Sequence, residues 1–243
     1  MAGHSKWSKI KNSKGAADQA RGKVFQKFSK DIYLAAKEGG PDPSSNPALR
    51  LKIEKAKAAN MPNDNINRAI QKASSNGEGE NYEEIYYEGY GPNGVAVLVE
   101  ALTNNRNRSA TNIRVAFNKN GGALGESGSV AYMFDRKGYI VIEREGLDVD
   151  EDTMLMSVLE AGGEELVTSD EVFEIYTNPS DWKEVRDALE AEGYTLEQAE
   201  STMFPQTMVD IDPENEAKFR MMLEKLEEDD DVQEVYHNAN LDD

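Results

Sequence analysis

Residues 138–177 read GYIVIEREGLDVDEDTMLMSVLEAGGEELVTSDEVFEIYT. GYIVIE (138–143) reads as a strand, a helical pattern follows near 151–161, and strands are expected at 164–168 and 171–177. Working outward, a helix from about Ser180 to Glu192 and a strand near 194–204 complete a β-α-β-β-α-β order. That order is the ferredoxin-like motif. QTMVDI (206–211), a helix near 213–228 and VQEVYHN (232–238) fit no part of it. Joined to 82–134, they predict a second α+β domain (82–134 plus 206–243) into which the ferredoxin-like unit, 135–205, is inserted.

Upstream, YEEIYYEGYGPNGVAVLVEAL (82–102) predicts two strands joined at the turn Gly91-Pro92-Asn93-Gly94. A helix from about Arg108 to Asn118 should turn Ala110, Ile113 and Phe117 inward, and the glycine-rich loop NGGALGESG (120–128) follows. Before the polar, glycine-containing stretch SSNGEGEN (74–81), three helical patterns predict a basic helical domain over 1–77. The first runs from Arg21 to Glu38 and stops at Gly39-Gly40-Pro41, with Phe25, Phe28, Ile32 and Ala36 on one side. Lys23, Lys27, Lys30 and Lys37 centre on the other side. The second opens on Asn46 as cap and Pro47, with Leu49, Ile53 and Ala56 inward; the third follows Met61-Pro62, with Ile66, Ala69, Ile70 and Ala73 inward. The expected fold class is therefore α+β: an N-terminal three-helix domain plus two α+β domains, one ferredoxin-like and inserted in the other.

The formal net charge of −19 hides an asymmetry. Residues 1–77 hold 15 Lys+Arg against 6 Asp+Glu, a balance of +9, and the remainder holds 12 against 40, a balance of −28. Halves of opposite sign point to a polyanion-binding module on an acidic body. The opening GHSKWSKIKNSKG (3–15) carries Lys6, Lys9, Lys11 and Lys14, a lone Trp7 and no acidic residue. Its two large apolar residues are too few to order it alone, so it reads as a mobile arm that orders on phosphates. Trp7 either stacks on an exposed base or packs on the helices. With Arg21, Lys23, Lys27 and Lys30, the arm forms the expected nucleic-acid-binding set, against the alternative that a lysine stripe is a solvated face. In LTNNRNRSATNIR (102–114), Arg106 and Arg108 sit near a helix N-terminus beside Asn104, Asn105 and Asn107. That arrangement either holds a phosphate or pairs the arginines with carboxylates such as Glu88 or Glu100.

Catalytic chemistry has little to build from. There is no cysteine, and His4 and His237 stand at opposite ends, which leaves no material for a His-based triad or a His-rich zinc site. DVDED (148–152) lacks the Gly and Glu that a calcium loop requires at Thr153 and Leu159 and reads as a solvated helix start. NGGALGESG lacks the ending of a P-loop, and EEDDD (227–231) reads as a solvated helix end. No enzyme, cofactor or metal is expected. Without a run of 18 apolar residues or a secretory h-region, no membrane partner is expected and the cytoplasm is the expected location.

The chain resembles the YebC/PmpR family. The likeness rests on MAGHSKW at the start, RGKVFQKFSKDI (21–32), NPALRLKIEKAKAANMPNDNINRAIQKA (46–73), YEGYGPNGVAVLVEALTNNRNRSATNIR, GSVAYMFDRKG and DVQEVYHN, and covers essentially the whole chain. The family more often has Asp where Asn104 stands and Thr where Ser109 stands. The resemblance implies three domains and a cytoplasmic, DNA-binding regulator of transcription. It equally implies kinship to a mitochondrial translational activator of cytochrome c oxidase and to bacterial proteins tied to the ribosome, notably at proline-rich stretches. Two functions follow: a DNA-binding transcriptional regulator, or a translation factor contacting ribosomal or transfer RNA during elongation. A third reading, from the charge alone, is an acidic scaffold whose basic module docks on an acidic partner protein. The helical module shows no recognition helix able to offer Asn, Gln or Arg to base edges, and its lysines suit phosphate rather than sequence readout. The sequence leaves the oligomeric state open.

Overall fold

The side chain of Asn46 sets the helical segment. In the computed structural model, which describes residues 21–75 and 81–241, α1 (Arg21–Gly39), α2 (Pro47–Ala58) and α3 (Asn63–Ser74) follow one another. Asn46 is buried; its Oδ1 accepts from the Leu49 N–H and caps α2, while its Nδ2 donates to the carbonyls of Ala35 and Gly40 at the end of α1. One amide thus satisfies orphan groups of two helices and fixes the angle between them. Ile32, Ala35 and Ala36 meet Leu49, Ile53 and Ala56 and Ile66 and Ala69 in one core, with Phe25 and Phe28 at its edge.

The chain continues through β1 (Glu83–Tyr90), β2 (Ala96–Thr103), α4 (Arg106–Lys119) and β3 (Ala123–Leu124). It then enters β4 (Phe134–Glu143), α5 (Glu151–Ala161), β5 (Glu165–Thr168), β6 (Val172–Thr177), α6 (Trp182–Ala191) and β7 (Gln198–Pro205). It closes with β8 (Val209–Asp210), α7 (Pro213–Glu227), β9 (Val232–His237) and β10 (Ala239–Asn240). The described residues fall into two compact units. Residues 134–206 make one, and it interrupts the other, made of 21–75, 81–133 and 207–241.

The interrupting unit is ferredoxin-like: its strands lie in the order β5-β6-β4-β7 and every neighbouring pair is antiparallel. Met154 and Val158 of α5 and Val185 and Leu189 of α6 are fully buried. Tyr139, Val141 and Val172 form a separate core with Tyr176 and Phe204, whose three rings lie 5.3–5.5 Å apart. The Tyr139 hydroxyl donates to buried Glu174 at 2.5 Å, and burial pushes that hydroxyl far above its ordinary pKa. The last strand starts at Gln198 rather than near 194, because Gly193 (φ +95) turns the chain beyond α6.

The other unit holds an antiparallel sheet in the order β3-β1-β2-β9. Val95, Val97, Val99 and Ala101 alternate onto one face and meet Ile113 and Phe117 of α4 and Phe219, Met222 and Leu226 of α7. Ala110, expected inward, is only half-buried. The glycine-rich stretch after α4 wraps a buried acid: Glu88 accepts the N–H groups of Gly128, Val130 and Ala131 at 2.6, 3.0 and 2.6 Å. Burial works to raise the Glu88 pKa, but those three donors outweigh it and hold the carboxyl below its usual range. Glu88 is therefore no partner for the arginines.

Strand β3 approaches β1 at Gly89, where a Cβ would lie 2.6 Å from the Ala123 carbonyl oxygen and 2.7 Å from a Phe117 ring carbon. A main-chain oxygen cannot step aside as a flexible side chain can. The substitution Gly89→Ala should destabilise the protein by about 1–3 kcal/mol, the usual cost of overpacking, visible as a lower urea midpoint with an unchanged slope. An unaltered midpoint would mean that β3 is not held against β1.

Candidate nucleic-acid interface

No acidic residue occurs from Thr103 to Gly125, whereas Arg106, Arg108, Arg114 and Lys119 all fall there. This run forms α4 and its flanks. Thr103 Oγ1 accepts from Asn105 N, and Asn105 Oδ1 accepts from Arg108 N at 3.0 Å, so the helix starts at Arg106, two residues earlier than the periodicity predicts. Ser109, Ile113, Ala116 and Phe117 turn inward. The opposite face exposes Arg106, Asn107, Thr111, Arg114, Asn118 and Lys119.

The two arginines singled out by sequence are both paired, with partners other than Glu88 and Glu100. Arg106 reaches Glu83 at 3.4 Å, and both side chains are more than half exposed. Such a pair contributes at most about 1 kcal/mol and leaves the cation available. Arg108 is pinned. Its Nε and Nη2 donate to the two carboxylate oxygens of Asp231 at 2.9 and 2.8 Å, and Nη2 also reaches Asn104. Ser109 Oγ donates to the same carboxylate at 2.8 Å, and Lys30 Nζ lies 3.3 Å away. Asp231 is 2% exposed. Burial works to raise its pKa, but the hydrogen bonds from Arg108 and Ser109 and the charges of Lys30 and Arg108 outweigh it, and the net shift is downward.

The lysine row of α1 also has an occupant. Lys23 Nζ donates to the Glu228 carbonyl at 2.7 Å, Lys27 to that of Glu227 at 2.6 Å, and Lys30 to those of Asp230 and Leu102 at 2.5 and 3.2 Å. EEDDD (227–231) is thus not a solvated helix end. The last carbonyls of a helix have no partner within it and carry its negative dipole, so ammonium groups are their natural complement. Lys37 lies apart, its Nζ 5.6 Å from the Tyr33 ring centroid. An open cleft of about 680 Å³ lies beside the row, lined by Lys30, Lys72, Tyr82, Asn104, Arg108, Asn112 and the acids 228–231. Lys6, Trp7, Lys9, Lys11 and Lys14 lie outside the described residues, as does the side chain of Arg21.

Sequence reasoning overlooked Arg114 and Lys119, which the length of the acid-free run signals, and Asp231, for which position in an acidic cluster gives no sign of burial. Because Asp231 has a lower pKa folded than unfolded, its contribution to stability is fully present above the unfolded value of about 3.9 and lost as pH falls through the folded value. The substitution Asp231→Asn should cost about 3 kcal/mol near neutrality, the low end for a broken buried pair, since Arg108 stays half in solvent. The gap in melting temperature between native and variant proteins should be constant above about pH 5 and shrink below about pH 4. A gap that widens on acidification would contradict the assignment.

Comparison with known proteins identifies the family. A family model described as the TACO1/YebC protein N-terminal domain matches residues 5–76, and one described as the TACO1/YebC second and third domain matches residues 82–239. A relative from Enterococcus faecalis, named a probable transcriptional regulatory protein, is 66% identical over 239 residues, covering 98% of this chain and 99% of its own. One of the same name from Listeria monocytogenes is 59% identical over 241 residues, covering 99% of this chain and all of its own. The crystal structure of a conserved hypothetical protein from Aquifex aeolicus superposes with a TM-score of 0.79 at 46% identity, covering 93% of both chains. With both models matched in chain order and relatives aligned over nearly their full lengths, the chain belongs to the TACO1/YebC family.

Proposed function

We propose that this protein regulates gene expression by binding nucleic acid, as a cytoplasmic DNA-binding transcriptional regulator without catalytic activity. The working parts in this reading are three domains: 1–77 with its basic arm, 82–134 with 206–243, and 135–205. The observation that carries it is the exposed cationic face of α4, a 23-residue stretch without one acid in a body of charge −28. A body so acidic repels stray polyanion and turns its few cationic surfaces toward the target. Asn107, Thr111 and Arg114 recur at four- and three-residue steps, Arg106 stands beside them at the start of the helix, and together they offer donors suited to phosphate oxygens. Lys6, Trp7, Lys9, Lys11 and Lys14 would extend the contact from the arm.

A second reading, RNA on the ribosome, is favoured by one specific observation. The cationic groups of α1–α3 are mostly lysines, which bind the phosphates of RNA as readily as those of DNA, although α3 also exposes Asn63, Asn67, Arg68 and Gln71, side chains of the kind that read base edges. Anisotropy titrations with labelled duplex DNA and single-stranded RNA across a salt series test both. The pair Arg106→Ala and Arg114→Ala should flatten the log–log salt slope by about 0.9 per lost contact on the duplex or about 0.7 on the single strand. The melting temperature should stay within a few degrees, because both side chains are exposed. An unchanged slope on both nucleic acids would remove α4 from the interface.

A further inference from the structure

Each of the two apolar cores in the larger unit is built from its own elements: α1–α3 supply one, and the β1-β2-β9 sheet with α4 and α7 supplies the other. What joins α1 to the end of α7 is polar. The row Lys23, Lys27 and Lys30 donates to the carbonyls of residues 227, 228 and 230, and Gln233 Nε2 donates to Asp31 at 3.1 Å beside it. The charges of Glu227, Asp229 and Asp230 act on Lys27, Glu228 interacts with Lys23, and the Asp231 carboxylate lies 3.3 Å from Lys30. Seen from α1, the end of α7 is a string of oxygens at negative potential, the same chemistry as a phosphodiester backbone. The three lysines span about 10 Å along one helix face, room for two or three phosphates.

We infer that the acidic end of α7 is a built-in stand-in for nucleic acid: it occupies the lysine row of α1 in the free protein and is exchanged for the phosphodiester backbone of the target. The inference rests on the nucleic-acid reading above and adds to it what fills the row before binding. An electrostatic contact without a shared apolar core is one that a denser polyanion can take over, whereas an apolar contact would be indifferent to it. Lys27 fits this account. Burial pulls its pKa below the ordinary lysine value even though Glu227, Glu234, Asp229 and Asp230 all raise it, so the contact leaves desolvation uncompensated.

The test uses the full chain with Asn67→Cys and Met221→Cys for a pair of spin labels. Both positions are exposed, one on α3 and one on α7, and the native sequence contains no cysteine to compete. A second protein adds E227Q, E228Q and D230N, which remove charge from exposed side chains and leave the carbonyl acceptors and Asp231 intact. Labelled single-stranded RNA and duplex DNA are titrated separately, with affinity read by anisotropy and the α3–α7 distance by pulsed electron resonance. The native protein should show one short distance that lengthens on saturation. The charge-depleted protein should already populate the long distance and bind about tenfold tighter, as when a competent state rises from a tenth of the population to nearly all of it. Binding with an unaltered distance, or equal affinity for the two proteins, overturns the exchange while leaving nucleic-acid binding in place. No binding of either nucleic acid by either protein overturns the functional reading and the exchange with it.

Discussion

Asp231 receives hydrogen bonds from Arg108 and Ser109 on α4 and the charge of Lys30 on α1, and it does so at the first turn before β9. Its main-chain oxygen also accepts from Leu102 N at 2.7 Å, which ties it to the end of β2. One residue, through its carboxylate and its main-chain oxygen, therefore links four elements. A buried charge is tolerated only when its lone pairs are filled and its charge is matched, so wherever Asp231 goes, the guanidinium and hydroxyl of α4 that fill its oxygens go with it. The start of α4 and the register of β9 beside β2 follow from meeting that demand, and Lys30 of α1 adds its charge in the free protein.

The same demand explains how a chain of net charge −19 folds around so many carboxylates. Glu88 is filled by three main-chain N–H groups, Asp150 and Asp212 cap helices, and the acids after α7 face a lysine row. Asp212 accepts from Asn215 and Asn93, and these bonds hold its pKa down at about 2. In each case main-chain N–H groups, neighbouring side-chain amides or a cation from another element do the compensating. Arg114 and Lys119, exposed on α4, lie in a stretch that holds no acid close in sequence.

Much of this was legible in the sequence because it depends on local rules. Asn46-Pro47 announces α2 through capping chemistry, the alternation in 82–102 announces two strands, and the β-α-β-β-α-β order announces the ferredoxin-like sheet. The short strands β3, β8 and β10 escaped, since two residues carry no periodicity. What the sequence could not display was the meeting of α1 with residues 227–231, some 200 positions apart. The periodicity of Lys23, Lys27 and Lys30 shows that they share a face, but a face of lysines looks the same whether it meets water or a helix end. The partners of Arg108 were hidden for the same reason: charge counts locate cations and anions without saying which are buried together.

Charge segregation along the chain therefore has a consequence different from segregation in space. The basic helices do not stand clear of the acidic body; they are seated on its most acidic corner. An arrangement in which all 46 acidic groups avoided all 27 basic ones would concentrate like charge in each half and destabilise both. Seating the lysines on helix-end carbonyls relieves that repulsion, and it leaves Lys23 and Lys27 bonded to neutral acceptors, with Lys30 alone of the row also paired to a carboxylate, that of Asp231. Under the proposed exchange, a surface held this way is ordered in the free protein and still answers to a stronger anion. That combination is what a protein needs if it is to be strongly acidic overall and nevertheless meet a phosphate backbone.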